Sequence, residues 1–171
     1  MPMQNLKDFR GFDNKGWICD TCGEVIERAE YGWVQWLSGR VGDKRVARDL
    51  QLVHQMPASP RKGMESGCQF DQRAEFSRDR FTISDSHLMH FLGDDGLMTL
   101  LAMLMEERLP RAQVVEMIER LHIPGYEHAR FHFDQAIAEG VFEPNTLKDF
   151  YWQSNIKAVN NWAEKTESIR R

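Results

Sequence analysis

The spacing of apolar positions changes partway along the chain. Up to about residue 83 they fall in short runs broken by polar and glycine-rich stretches, and beyond it they recur at helical intervals. Residues 32–37, Gly-Trp-Val-Gln-Trp-Leu, concentrate aromatic and β-branched side chains and predict a strand. Residues 50–54 alternate, which places Leu50, Leu52 and His54 on one face of a second strand. Residues 38–45 between them read as a polar turn, and the two prolines and the glycine of 56–63 predict a loop.

The second part opens with a short predicted helix at 86–92, stopped by Gly93. Asp94 and Asp95 then stand as N-caps of a helix in which Leu97, Leu100, Leu101 and Leu104 repeat at amphipathic spacing. Leu109-Pro110 ends it, and a helix over 111–121 buries Val114, Val115, Ile118 and Leu121. After an Ile123-Pro124-Gly125 turn, a third helix over 126–139 carries Tyr126, Ala129, Phe133 and Ile137 on one face, with Gly140 as its C′ residue. Residues 141–152 read as a small hairpin about Pro144-Asn145, and Ser154 caps a last helix. No internal repeat or low-complexity tract interrupts this order. The pattern predicts an α+β protein in two parts, 1–83 and 84–171.

The composition, 42% hydrophobic and 28% charged with ten Phe and five Trp, is that of a folded chain able to fill a core. The first residues carry no apolar leader segment, and the apolar stretch at 97–105 is too short to span a bilayer. The expected setting is the cytoplasm, with no membrane partner. A net charge of −4 hides an asymmetry. Residues 1–83 hold 13 basic and 12 acidic side chains, whereas 84–171 hold 9 and 14, so the second part is a poor electrostatic match for nucleic acid.

Three cysteines do not pair off as disulfides, and two of them form Cys19-Asp20-Thr21-Cys22-Gly23. The two-residue gap lets both sulfurs point at one ion, and Gly23 lets the backbone turn beneath it. Cys68 supplies a third sulfur, and His54 is the only histidine that precedes it. These four residues are the expected ligands of one structural Zn2+. A redox pair would open a helix in a βαβ pattern, whereas polar turn residues and aromatic strands follow this one. Over residues 17–70 the chain resembles the zinc-ribbon or treble-clef class, although the 31 residues between Cys22 and His54 and the 13 between His54 and Cys68 are long gaps for it. A module of this size is marginal without metal, and structural zinc supplies about 10–16 kcal/mol of apparent binding energy.

Two further resemblances bear on function. The segment Asp49-Leu50-Gln51-Leu52-Val53-His54 after a CxxC is similar to the tail of HNH nucleases, yet 32–37 lacks the His or Asp that their chemistry requires. Three helices followed by a hairpin resemble a winged helix, with 114–139 as the helix-turn-helix and 140–152 as the wing. The would-be recognition helix sets Arg130 against Glu127, Asp134 and Glu139, which favours protein contacts over DNA reading. His128 and His132 lack the zincin Glu, position 129 being Ala129; His87 and His90 beside Asp85 read as a helix start, and Met98, Met103 and Met105 as core filling.

No nucleophile–base pair, phosphate loop or cofactor fingerprint stands out, so the expected protein is a zinc-stabilised, non-enzymatic binding protein with a regulatory or adaptor role. Contact with nucleic acid or an acidic partner would fall to Arg40, Lys44, Arg45, Arg48, Arg61 and Lys62, with Trp33 and Trp36, read as sharing a strand face, able to stack on bases. The alternative is a subunit of a larger protein assembly, in which Ile156, Val159 and Trp162 of the last helix dock a partner or a second copy. A metal-dependent, HNH-like nuclease is the third reading.

Overall fold

A computed structural model describes residues 6–170, so the reading of the first five residues lies outside the described range. The protein is α+β, with two small sheets and six α-helices among the described residues. It divides into two compact units, Met1–His122 and Ile123–Arg171, each with its own core. The composition change near residue 83 falls inside the first unit, within a strand.

In the first unit, β1 (Trp17–Ile18) and β2 (Val25–Ile26) form a two-stranded antiparallel ladder. Then β3 (Gly32–Val41) and β4 (Lys44–His54) make a long hairpin, and β5 (Thr82–His87) pairs with the other edge of β3, giving the order β4-β3-β5. The polar turn expected over 38–45 shrinks to Gly42-Asp43, because the flanking residues continue the ladder out to Val41 and Lys44. Gly42 takes φ +60° there, the positive value that the first position of a type II′ turn requires. The register shifts between Gln35 and Leu37, where Asp49, at φ 57°, and Leu50 together face Trp36: β4 carries a bulge.

An unpaired β4 edge would be open to other strands. Here three of its N–H groups are taken up. Ala47 N–H donates to the Arg108 carbonyl at 2.8 Å, Leu50 N–H to Gln113 Oε1 at 3.1 Å and Leu52 N–H to Asp20 Oδ2 at 2.7 Å. The three acceptors come from a helix–helix connection, a helix and the CxxC turn.

The first unit's helices are α1 (Gln72–Asp79), α2 (Gly93–Glu106) and α3 (Arg111–His122). The helix expected at 86–92 is instead the end of β5 followed by a 3-10 turn, Leu88–Phe91, which buries Leu88 and Phe91. Asp94 and Asp95 are not caps. They sit in the first turn of α2, where they suit the helix dipole, and Leu92 precedes it without a side-chain cap. Leu100 is buried, but Met98, Leu101 and Met105 are exposed, so two of the three methionines expected in the core lie outside it. On α3, Val114, Met117 and Leu121 enter the core together with one charged residue, Arg120. That core runs from Trp17 and Ile26 through Val34 and Leu52 to Leu88, Phe91 and Leu100, and takes in Cys19 and Cys68.

In the second unit the helix expected over 126–139 is broken into α4 (Tyr126–Ala129) and α5 (Phe133–Ala138). Gly140, at φ 71°, closes α5: its N–H donates to the Ile137 carbonyl and that of Val141 to the Ala136 carbonyl, the Schellman arrangement. No strand forms over 141–152, which corrects the expected hairpin and the wing built on it. The aromatic residues there are used edge-on instead, Phe142 against Tyr151 at 5.1 Å and Tyr151 against Phe133 at 4.7 Å, rather than in a ladder. Helix α6 (Gln153–Arg170) completes the unit with Ile156 and Val159 fully buried.

Candidate metal centre

Cys19 and Cys22 occupy the turn joining β1 to β2. Gly23, at φ +76°, donates its N–H to the Cys19 carbonyl at 2.9 Å, and Cys19 N–H donates to the Glu24 carbonyl at 2.9 Å, which folds the turn into a knuckle with both sulfurs on its inner side. His54 ends β4, opposite Gly32, and is buried. Cys68 arrives from the loop that leads into α1, and Thr21 Oγ1 ties it down by donating to its carbonyl at 2.7 Å.

The ligand atoms of Cys19, Cys22, His54 and Cys68 all lie within 4.8 Å of one another and could hold one metal ion, as a single structural Zn2+ requires. A tetrahedral zinc with bonds of about 2.3 Å to sulfur and about 2.0–2.1 Å to nitrogen has edges of about 3.6–3.8 Å. His54 Nδ1 lies 3.5 Å from Cys22 Sγ and 3.9 Å from Cys68 Sγ, on either side of that value. On the far side of the ring, Nε2 is 3.1 Å from the Val25 carbonyl. Donation of Nε2–H to that carbonyl leaves the Nδ1 lone pair for the ion, the usual way a ligating histidine is oriented. The Ser59 hydroxyl, 3.1 Å from Cys68 Sγ, supports the third sulfur.

The protons of this set are already unevenly held. Before an ion displaces the ring proton at Nδ1, burial pushes the Cys19 thiol up, but hydrogen bonds from the His54 ring and from nearby backbone N–H groups overcome it and bring Cys19 down to about 6. Cys22 is pushed up to about 12 by burial, with the Cys19 and Cys68 sulfurs adding to the effect against a hydrogen bond at Glu24. Crowded sulfurs that resist common ionisation are what a divalent cation relieves. With four protein donors, a tetrahedral ion here has no open position.

The surrounding support was not foreseen from the sequence. Asp20 N–H donates to the Leu52 carbonyl at 2.8 Å while its carboxylate accepts from Leu52 N–H, so the knuckle is bonded to β4 like a short extra strand. Arg120, its side chain 4% exposed, reaches from α3 to Asp20 Oδ2 at 2.8 Å and to the Ile18 carbonyl at 2.9 Å. The available signal was a charged residue on the otherwise apolar stripe of α3.

The expected basic surface does not form as one patch. Arg40, Lys44 and Arg45 are exposed at the β3–β4 tip. Arg61 and Lys62 lie in the loop after His54, at the other end of β4, about 33 Å along a strand of this length, with Arg61 on Met64 Sδ and Lys62 on the Pro57 carbonyl. Arg48 is engaged by Asp49, by Asp79 at 2.5 Å and by the Phe81 ring at 4.8 Å. Trp33 and Trp36 do not share a face, because they are three residues apart on a regularly paired stretch of β3 and β5. Trp33 packs edge-on against His87 at 4.1 Å, and Trp36 against Phe91 at 6.4 Å. Ile156 and Val159 are spent inside the second unit, with Trp162 packed against the same cluster, so that face of α6 is not a docking surface.

No protein-family model, curated protein or solved structure matches the chain. Among the described residues no helix is long and apolar enough to cross a membrane.

Proposed function

We propose that this is a zinc-stabilised binding protein of regulatory or adaptor type, without catalytic chemistry of its own, whose first unit contacts nucleic acid through the tip of the β3–β4 hairpin. The observation that carries the reading is the separation of labour along that hairpin. One end is anchored by the Cys3His set, and the other presents Arg40, Lys44 and Arg45. The side chains of Lys44 and Arg45 make no ion pair among the described residues, and that of Arg40 meets only the Asp43 carbonyl at 3.1 Å. Exposed cations at the end of a paired ribbon suit a phosphate backbone. Four donors around one ion favour a scaffold role for the metal over hydrolysis, and the cytoplasm would keep the three thiols reduced.

The test is titration of the zinc-loaded protein into labelled single-stranded and duplex DNA and RNA at low and physiological salt. Binding that weakens with salt, and whose salt slope on a single strand falls by about 2 when Arg40, Lys44 and Arg45 become Gln, supports the reading. Absence of binding at low salt contradicts it.

A second reading, a protein-interaction subunit, is favoured by the outer face of α2, where Met98, Leu101 and Met105 are 64%, 38% and 76% exposed at i, i+3 and i+7. Under that reading Met98→Lys with Met105→Lys abolishes partner capture and leaves nucleic-acid binding unchanged.

A further inference from the structure

The two-residue alternation of β3 places Trp36, Ser38 and Arg40 on one face. Cross-strand pairing adds Arg45 opposite Arg40 on β4 and Ser84 opposite Trp36 on β5. The α2–α3 connection is fixed over this face by the hydrogen bond from Ala47 N–H to the Arg108 carbonyl. Between sheet and connection lies a cleft of about 430 Å³ lined by these side chains and by Met103, Glu106, Arg108 and Leu109.

Its chemistry is specific. Arg40 and Arg45 are cross-strand partners, with the Arg40 guanidinium on the Asp43 carbonyl at 3.1 Å, and like charges placed opposite one another are destabilising, which a shared anion relieves. Arg108 is the third guanidinium, and the one carboxylate in the lining, Glu106, is already 3.3 Å from it. Three guanidiniums against one acid leave room for about two negative charges, which is what a phosphate monoester carries at neutral pH. The planar forks match phosphate oxygens in pairs. The indole of Trp36, half-buried and edge-on to Phe91, also lines the cleft, and an indole surface is a platform on which any nucleobase stacks. The Ser38 and Ser84 hydroxyls, 2.8 Å apart, stand beside it as polar contacts. The volume falls within the range of small-ligand sites, about 300–1,000 Å³.

We infer that this cleft binds one nucleotide unit, with its phosphate between Arg40, Arg45 and Arg108 and its base on Trp36. The inference rests on the nucleic-acid reading of the hairpin tip and gives that surface a discrete subsite. The same chemistry is offered by a free mononucleotide and by a nucleotide within a single strand, and the test separates them.

Adenosine 5′-monophosphate is titrated into the zinc-loaded full chain by calorimetry, beside adenosine and inorganic phosphate separately, and then in competition with a 5′-phosphorylated oligo(dT). The expected result is saturable binding of the monophosphate, at least tenfold tighter than either half. Arg108→Gln, an exposed change outside the core, is expected to weaken it at least tenfold, whereas Lys7→Gln, an exposed change outside both the cleft and the hairpin tip, changes it less than twofold. Displacement by the oligonucleotide marks a strand subsite. Monophosphate binding without strand binding keeps the cleft and defeats the nucleic-acid reading. Strand binding that depends on Lys44 but ignores Arg108→Gln and Ser84→Glu overturns the cleft and keeps the reading. No monophosphate binding, or binding indifferent to both cleft variants, overturns the inference.

Discussion

Arg120 and Asp20, 100 residues apart in the chain, meet through Nη1 and Oδ2 at 2.8 Å, and through that pair helix α3 holds the cysteine knuckle against β4. The guanidinium is almost wholly enclosed, while the carboxylate is 25% exposed. Removing the guanidinium takes a cationic partner from the Asp20 carboxylate, which keeps its bond from Leu52 N–H. Arg120→Met is therefore expected to lower unfolding free energy by about 3 kcal/mol, near the bottom of the range for a broken buried pair because Asp20 keeps some water. It is also expected to weaken metal retention about 10–100-fold, since the knuckle loses its outer support. Urea unfolding and competition with a metal chelator measure the two effects. Arg120→Lys should rescue neither fully, because one ammonium cannot serve both the Asp20 carboxylate and the Ile18 carbonyl with the same fork.

His122, the last residue of α3, gives the fold a defined response to acid. Burial holds its pKa below the ordinary value of 6.5, against the opposing pull of the Phe91 carbonyl and Asp94. Its Nε2 lies 2.9 Å from that carbonyl, which the neutral ring's N–H satisfies. Since the folded value is the lower one, stability is complete above 6.5. As pH falls through 6.5 the unfolded chain takes up a proton that the folded chain refuses, so stability declines until the pH reaches the folded value. In His122→Gln this part of the decline should disappear. The comparison is the urea midpoint of each protein at pH 7.5 and pH 5.5, and an equal drop in both would contradict the assignment.

Gly96 lies within α2, where replacement of glycine by alanine ordinarily stabilises by about 0.5–1 kcal/mol. A Cβ at this position would stand 2.1 Å from the Phe91 carbonyl carbon. The contact is with backbone, so no side chain can turn away. Gly96→Ala is expected to destabilise by about 1–3 kcal/mol in thermal unfolding, the reverse of its effect on an isolated helix.

The metal set was legible because few residue types bind zinc and the chain offers few of them; long gaps between ligands do not hide a CxxC. Helices α2 and α3 were legible because their leucines and valines recur at helical spacing. What escaped has physical causes. Strand β5, Thr-Ile-Ser-Asp-Ser-His, carries almost no apolar pattern, and it is a strand because β3 offers it a ladder of partners from Trp33 to Ser38. Helix α1 buries nothing. It is held by Asp71, which caps the Ala74 N–H at 3.0 Å, and by Glu75 among Arg48 and Arg78, all polar features that a search for apolar periodicity passes over. The reverse error fell on 141–152, where Phe142 and Tyr151 suggested a hairpin but serve an aromatic cluster. Similarly, Ile156 and Val159 marked the buried side of α6 and not a surface.

The most direct test of the account is titration of the reduced, metal-free full chain with cobalt(II), followed by visible absorption. The four-ligand set predicts saturation at one ion per chain, with the strong bands of a tetrahedral thiolate site and stoichiometric displacement by zinc. Cys22→Ser and Cys68→Ser should each lose tight binding, while Ser66→Ala, in the loop before Cys68, should not. Failure to saturate, weak octahedral bands, or uptake indifferent to both cysteine substitutions would contradict a closed Cys3His centre.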